Sequence, residues 1–205
     1  MSEETFMPDR ASMSDNAPAR RAMVDSQLRP QGVTDPLVLA AMAAVPREDY
    51  VPVEARSFAY TDRSIPVEGG AMMPPAPLGR LLTAAKPQPG ERALVVGAAP
   101  GYTAAVLRAI GVETVEQRAA NMGAGAPKGS PFDLVVIEGA VADVPASLTN
   151  ALAPGGRIVT ALLTAGSVTR LAIGRKVGGI VGYTRFADSE IPELTAFARP
   201  PAFTF

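Results

Sequence analysis

Apolar and polar positions along this chain fall into two kinds of pattern. In "GVTDPLVLAAMAAVP" the apolar residues Leu39, Met42 and Val45 recur at helical spacing. Asp35 suits the N-cap of that helix, Pro36 its first position and Pro46 its stop. Core packing accounts for the stripe. A shorter helix is predicted in "PARRAMVDSQL" from Pro18, with Met23 and Leu28 on one side. Two more follow in "PLGRLLTAA", opened by Pro77, and "YTAAVLRAI", and a last one in "VPASLTNAL".

Between these helices lie short apolar runs of the kind that form buried parallel strands: "RALVVG", "VETVEQ", "FDLVVIEG" and "RIVTALL". "SVTRLAIGRKVGGIVGYTRFADSE" predicts two further strands around Gly178-Gly179, a hairpin signal. The stretch 46–77, punctuated by proline and glycine, reads as a long structured connection. Residues 1–17 lack any period and predict a disordered or loose tail, leaving 18–205 as one domain with "ARPPAFTF" packed down at its end. Strands alternating with helices predict an α/β domain around a mostly parallel sheet.

Composition narrows the chemistry. The 205 residues are 47% hydrophobic, enough for one core. The formal net charge of −1 gives no electrostatic case for nucleic acid or an anionic membrane. There is no cysteine and no histidine. Disulfides, thiolate metal sites, cysteine nucleophiles and histidine-based triads are therefore excluded. No apolar run reaches the roughly 18 residues of a membrane span, and the start "MSEETFMPDR" is wrong for a secretory signal, so a cytoplasmic protein is expected.

One loop carries candidate chemistry. "VVGAAPGYTAAVL" joins a buried strand to a helix, the place where α/β sheets bind ligands. Gly97 and Gly101 hold its outer positions, with Ala98, Ala99 and Pro100 between them. Glycine there permits positive φ and close approach to the backbone. Gly101 and Tyr102 offer free N–H groups at the helix start. Glu116 ends the next strand, about 20 residues after the first glycine, where an acidic side chain accepts from ribose hydroxyls. The GxAxG spacing lacks the dinucleotide form and favours S-adenosylmethionine over a nicotinamide dinucleotide. An ordinary turn and an exposed glutamate would give the same spacing. Glu138 and Gly139 should face the same crevice, where Glu138 either contacts the cofactor or is solvated. Arg63 could meet a substrate carboxylate or pair with Asp62 or Glu68 on the surface. Met72 and Met73 either line a pocket or pack in the core, and Gly155-Gly156 turn a helix into a strand.

From about Met23 to Val159 the chain resembles the protein-L-isoaspartate O-methyltransferases. The carriers are "MVDSQLRPQGVTDPLVLAAMAAVPREDYVP", "AYTDRSIPVEGGAMMPPAPLGRLL", "PGERALVVGAAPGYTAAVL" and "FDLVVIEGAVADVPASLTNALAPGGRIV". The resemblance implies a class I methyltransferase fold: Rossmann-like, with helices on both faces and an antiparallel C-terminal hairpin. It implies transfer of the methyl of S-adenosylmethionine to the carboxylate of isoaspartyl residues in damaged proteins or peptides. The residues expected to bind the cofactor are Gly97, Ala98, Ala99, Gly101, Tyr102, Glu116 and Glu138. Three features depart from the family pattern. Met73 stands at the family's Ser/Thr position, Ala99 replaces a glycine, and 118–131 is too short for the usual helix and edge strand, so that strand is expected to be missing. A methyltransferase-shaped protein kept as a binding module is the alternative.

Overall fold

The computed structural model describes residues 16–121, 127–164 and 168–198. The predicted N-terminal tail lies outside them save for Asn16 and Ala17, and so does the C-terminal "ARPPAFTF" save for Ala198. Four helices come from the N-terminal half: α1 (Ala17–Met23), α2 (Pro36–Ala44), α3 (Pro75–Ala85) and α4 (Gly101–Ile110). α1 runs on into a π-helical turn, Val24–Leu28. Asp35 caps α2 as predicted: its carboxylate accepts from the N–H groups of Leu37 and Val38 at 2.9 and 3.1 Å. α3 starts at Pro75, two residues before the predicted Pro77. Both prolines lie in the first turn, where N–H groups need no helical acceptor, so either could open the helix.

The connection before α3 is ordered by two 3₁₀ turns, Arg47–Tyr50 and Val53–Phe58, and a small hairpin. The hairpin's strands are β1 (Ile65–Val67) and β2 (Gly70–Met72). The main sheet contains β3 (Arg92–Gly97), β4 (Glu113–Arg118), β5 (Phe132–Val141), β6 (Leu152–Leu163), β7 (Thr169–Val177) and β8 (Ile180–Ser189). Their order is β4-β3-β5-β6-β7-β8. The first four are parallel, and β7 and β8 add antiparallel strands. Among the described residues β4 is the outermost strand on its side.

The helix α5 (Ala146–Asn150) stops short of the predicted "VPASLTNAL", because Leu152 already pairs with Phe132 in the sheet. Side chains of β3 and β5 alternate between two cores. Val95, Leu134 and Val136 face α1–α4, while Leu94, Val96, Val135 and Ile137 face the side carrying α5. This double burial explains why those strands read as unbroken apolar runs. Gly155, at φ +76, and Gly156 lie inside β6, so the pair is structural but does not form the predicted turn from helix into strand.

Candidate cofactor site

The predicted loop lies where β3 hands over to α4, at the carboxyl end of the parallel strands. Its glycines are present for space rather than for torsion. Neither Gly97 nor Gly101 has positive φ, and Lys86 is the only described non-glycine residue that does. Ala99 therefore sits in ordinary backbone and meets no torsional penalty. A Cβ on Gly97 would lie 2.7 Å from Glu138 Oε2 and 2.8 Å from Glu138 Cβ. One on Gly101 would lie 3.2 Å from the Tyr50 ring and 3.8 Å from Glu116 Oε2.

On one side of the loop is a hollow of about 280 Å³, lined by Tyr50, Ala99, Pro100, Gly101, Glu116 and Arg118. It is just below the roughly 300–1,000 Å³ of typical small-molecule pockets. α4 supplies the free N–H groups of its first turn, since its first backbone bond is donated by Ala104 to Pro100. Glu116 lies across the parallel pair from Val95. Its Oε1 accepts from Arg108 Nη2 at 2.6 Å, and its Oε2 faces Gly101. The glutamate is exposed, as expected, and paired, with one oxygen turned to the loop. These groups fit a ribose and a nearby anion. A wider hollow of about 710 Å³, lined by Val168, Thr169 and 188–192, shares no residue with the loop.

On the other side the site is closed. Ala98 is buried, packed against Gly70 of the hairpin, where a Cβ would lie 3.0 Å from Ala98 Cβ. Glu138, in register with Gly97, is only 2% exposed. This corrects the solvated reading of Glu138. The run "FDLVVIEG" gave no sign of it, because the cover comes from residues far along the chain. Ala140 donates to the Pro192 carbonyl at 2.9 Å, Leu194 donates to the Ala140 carbonyl at 2.8 Å, and Leu194 packs on Gly139. Ile191–Leu194 thereby lies across the end of β5. The space left between this segment, Gly70, Ala71, Met73 and Glu138 is about 10 Å³.

The Thr103 hydroxyl donates to Glu138 Oε1, while Oε2 has no hydrogen-bond partner. Burial pushes the Glu138 carboxyl up to about 7. The Thr103 bond and the Arg47 charge pull it down, and the Glu116 charge adds to the rise.

Sequence reasoning missed Arg47, whose fully buried guanidinium joins the two halves of the site. Its Nε donates to the Ala59 carbonyl at 2.9 Å and its Nη2 to the Met73 carbonyl at 2.6 Å. Its Cζ lies 4.8 Å from the centroid of the buried Tyr102 ring, a cation–π contact. Burial lowers its pKa and raises that of Tyr102 to about 12. The signal was a lone arginine in "PREDY", which no periodicity distinguishes from a surface residue.

Met73 is 2% exposed, and Met72 is buried with it, so this pair both packs in the core and, through Met73, lines the small space by Glu138. Among the described residues Arg63 does not form the expected ion pair with Asp62 or Glu68. Its guanidinium lies 4.5 Å from the Phe58 ring centroid, while Glu68 pairs with Arg118 and Asp62 accepts from Gln31 and from the Ala76 N–H.

The chain is similar to known proteins. A family model, protein-L-isoaspartate(D-aspartate) O-methyltransferase, matches residues 19–121 and 107–177. A protein-L-isoaspartate O-methyltransferase of Methylorubrum extorquens (strain PA1) is 34% identical over 79% of this chain and 82% of its own. One of Roseiflexus sp. (strain RS-1) is 38% identical over 71% and 78%. One of Gloeobacter violaceus is 33% identical over 83% and 96%. Two solved structures share the fold. A protein-L-isoaspartate O-methyltransferase has TM-score 0.67 at 19% identity, covering 85% of this chain, which spans only 65% of that one. A β-aspartate methyltransferase from Plasmodium falciparum, in complex with S-adenosyl-L-homocysteine, has TM-score 0.65 at 16% identity, covering 85% and 97%. The chain belongs to the protein-L-isoaspartate(D-aspartate) O-methyltransferase family.

Proposed function

We propose that the chain is a cytoplasmic S-adenosylmethionine-dependent methyltransferase acting on the carboxylate of isoaspartyl residues in proteins or peptides. The single observation that carries this reading is the pairing of the α4 N-terminus with Glu116 Oε2 around one hollow, in a chain of this family. Glu116 would hold the ribose, and the N–H groups of Gly101 and Tyr102 an anionic group of the cofactor. Gly97, Ala98 and Ala99 would pass the cofactor along the loop backbone, and of the three Ala99 lines the hollow. S-adenosylmethionine supplies an electrophilic methyl group. The acceptor carboxylate is ionised at neutral pH, since model carboxylates have pKa values of about 4, so no general base is needed. The absence of histidine is therefore no obstacle. What remains for the chain is to bind and align two ligands. Met73 offers no hydroxyl to the acceptor, and its side chain gives only a weak acceptor sulfur.

The closure of the β5 end by Ile191–Leu194 favours a second reading, a fold retained to bind a partner protein without turnover. Calorimetric titration with S-adenosylhomocysteine decides between them. Micromolar binding that weakens in Glu116→Ala, followed by methylation of an isoaspartyl peptide, supports the enzyme. Well-folded protein that binds nothing at millimolar ligand supports the second reading.

A further inference from the structure

We propose that Glu138 is the anchor for the α-ammonium group of the cofactor's amino-acid tail, an assignment that rests on the methyltransferase reading above. Four observations lead to it. Glu138 stands at the carboxyl end of β5 directly across from Gly97, at the same sheet end as the Glu116 hollow but on its far side. One carboxyl oxygen is held by the Thr103 hydroxyl, while the other is buried without any donor. The space beside it, about 10 Å³, is close to what a single water-sized group needs, and an ammonium is such a group. Gly97 leaves room for that oxygen, because any side chain there would overlap it.

A buried carboxylate oxygen with no donor is costly unless a ligand supplies one. The internal candidate does not. Arg47 donates Nε and Nη2 to the Ala59 and Met73 carbonyls, and its Nη1 has no partner. The other titratable groups near Glu138 are Tyr102 on α4, Glu116 on β4 and Glu193 on the covering segment. Neither acid can donate a hydrogen bond when ionised, and Tyr102 keeps its proton well above neutral pH. For the tail to enter, Ile191–Leu194 must draw back from Ala140, breaking the two backbone bonds that hold it there.

The assignment has a proton signature. Glu138 holds its proton up to about pH 7 in the free protein, and an ammonium partner requires the ionised form. Binding therefore releases a proton below pH 7, and apparent affinity rises with pH in proportion to the ionised fraction. From pH 6 to pH 8 the gain is about tenfold for a pKa near 7.

The experiment titrates the full chain calorimetrically at pH 6, 7 and 8 with S-adenosylhomocysteine, and in parallel with methylthioadenosine, which has the nucleoside but no amino-acid tail. The expected result is a roughly tenfold rise in affinity for the first and none for the second, with proton release read from buffers of different ionisation enthalpy. Glu138→Gln should remove the slope and weaken only the first ligand at pH 8, by at least tenfold. The wild-type series stands by itself if that variant does not fold. A flat profile, or equal affinity for the two ligands, overturns the assignment while leaving the proposed function standing. Affinity that falls with pH also overturns it, since Glu138 would then act as a neutral donor to an anion. Failure of both ligands to bind defeats the proposed function itself.

Discussion

The two flanks of the loop differ in almost every physical respect. The Glu116 side is open and partly wet, its acidic group paired with Arg108 at the surface. The Glu138 side is dry, with a carboxyl at 2% exposure, a buried guanidinium nearby and a cover contributed from residues 191–194. The same side chain chemistry thus has two characters. A carboxylate in water is inexpensive and adaptable, whereas one in a core is costly unless a specific partner is provided. The open flank can recognise a nucleoside with little commitment of stability. The closed flank commits stability to hold a charge-bearing group ready.

That contrast can be broken most forcefully at Arg47. Arg47→Met leaves the Ala59 and Met73 carbonyls without their donor and Glu138 without its neighbouring cation. The expected loss is about 2–6 kcal/mol, from roughly 1–3 kcal/mol for each buried carbonyl left without its donor, measured by urea unfolding. A loss below about 1 kcal/mol would mean that the guanidinium does not organise the closed flank.

Glu138→Gln should act in the opposite direction and depend on pH. The folded protein holds the Glu138 proton up to about pH 7, against 4.5 for the unconstrained group. Folded chains therefore bind more protons than unfolded ones between those values, and wild-type stability falls as pH rises through that window. At about 1.4 kcal/mol per unit, the glutamine variant gains about 3 kcal/mol over wild type at pH 8 and nearly nothing at pH 4.5. Paired thermal or urea unfolding at the two pH values reads this directly. An equal difference at both would show that the carboxyl is not held in its neutral form.

Gly97→Ala tests the contact between the flanks. Its methyl group would meet Glu138 Oε2 at 2.7 Å and Glu138 Cβ at 2.8 Å, so overpacking of about 1–3 kcal/mol is expected in urea unfolding. Ala99→Gly, by contrast, relieves no strain, because Ala99 is not in the left-handed region.

The smallest effect on stability belongs to the open flank. Glu116→Ala removes a surface ion pair worth about 1 kcal/mol or less. Its affinity for S-adenosylhomocysteine should nevertheless fall about tenfold or more, the scale of a lost hydrogen bond to a charged group. Large stability loss with unchanged affinity would invert the comparison.

The open flank was legible in the sequence, whereas of the closed one only Met73, Glu138 and Gly139 were picked out, without their burial. Gly97, Gly101 and Glu116 sit at fixed spacings along one strand–loop–helix–strand unit, so local pattern places them together. The strands themselves were equally readable, because β3 and β5 are buried on both faces and need apolar residues throughout. The closed flank is assembled from residues 47, 73, 103, 138 and 194, distant in sequence. No period marks a buried arginine or glutamate. The loop glycines also misled in a useful way: they suggest unusual torsions, while their actual service is to leave room for Glu138 and Tyr50.

One ligand is expected to engage both flanks at once. Amide hydrogen exchange on the full chain, with and without S-adenosylhomocysteine, tests it most directly. The expected result is slower exchange at Gly101–Thr103 together with Glu138–Ala140, accompanied by faster exchange at Leu194 as its bond to Ala140 opens. Protection confined to the Glu116 side, with 138–140 and 194 unchanged, would contradict it.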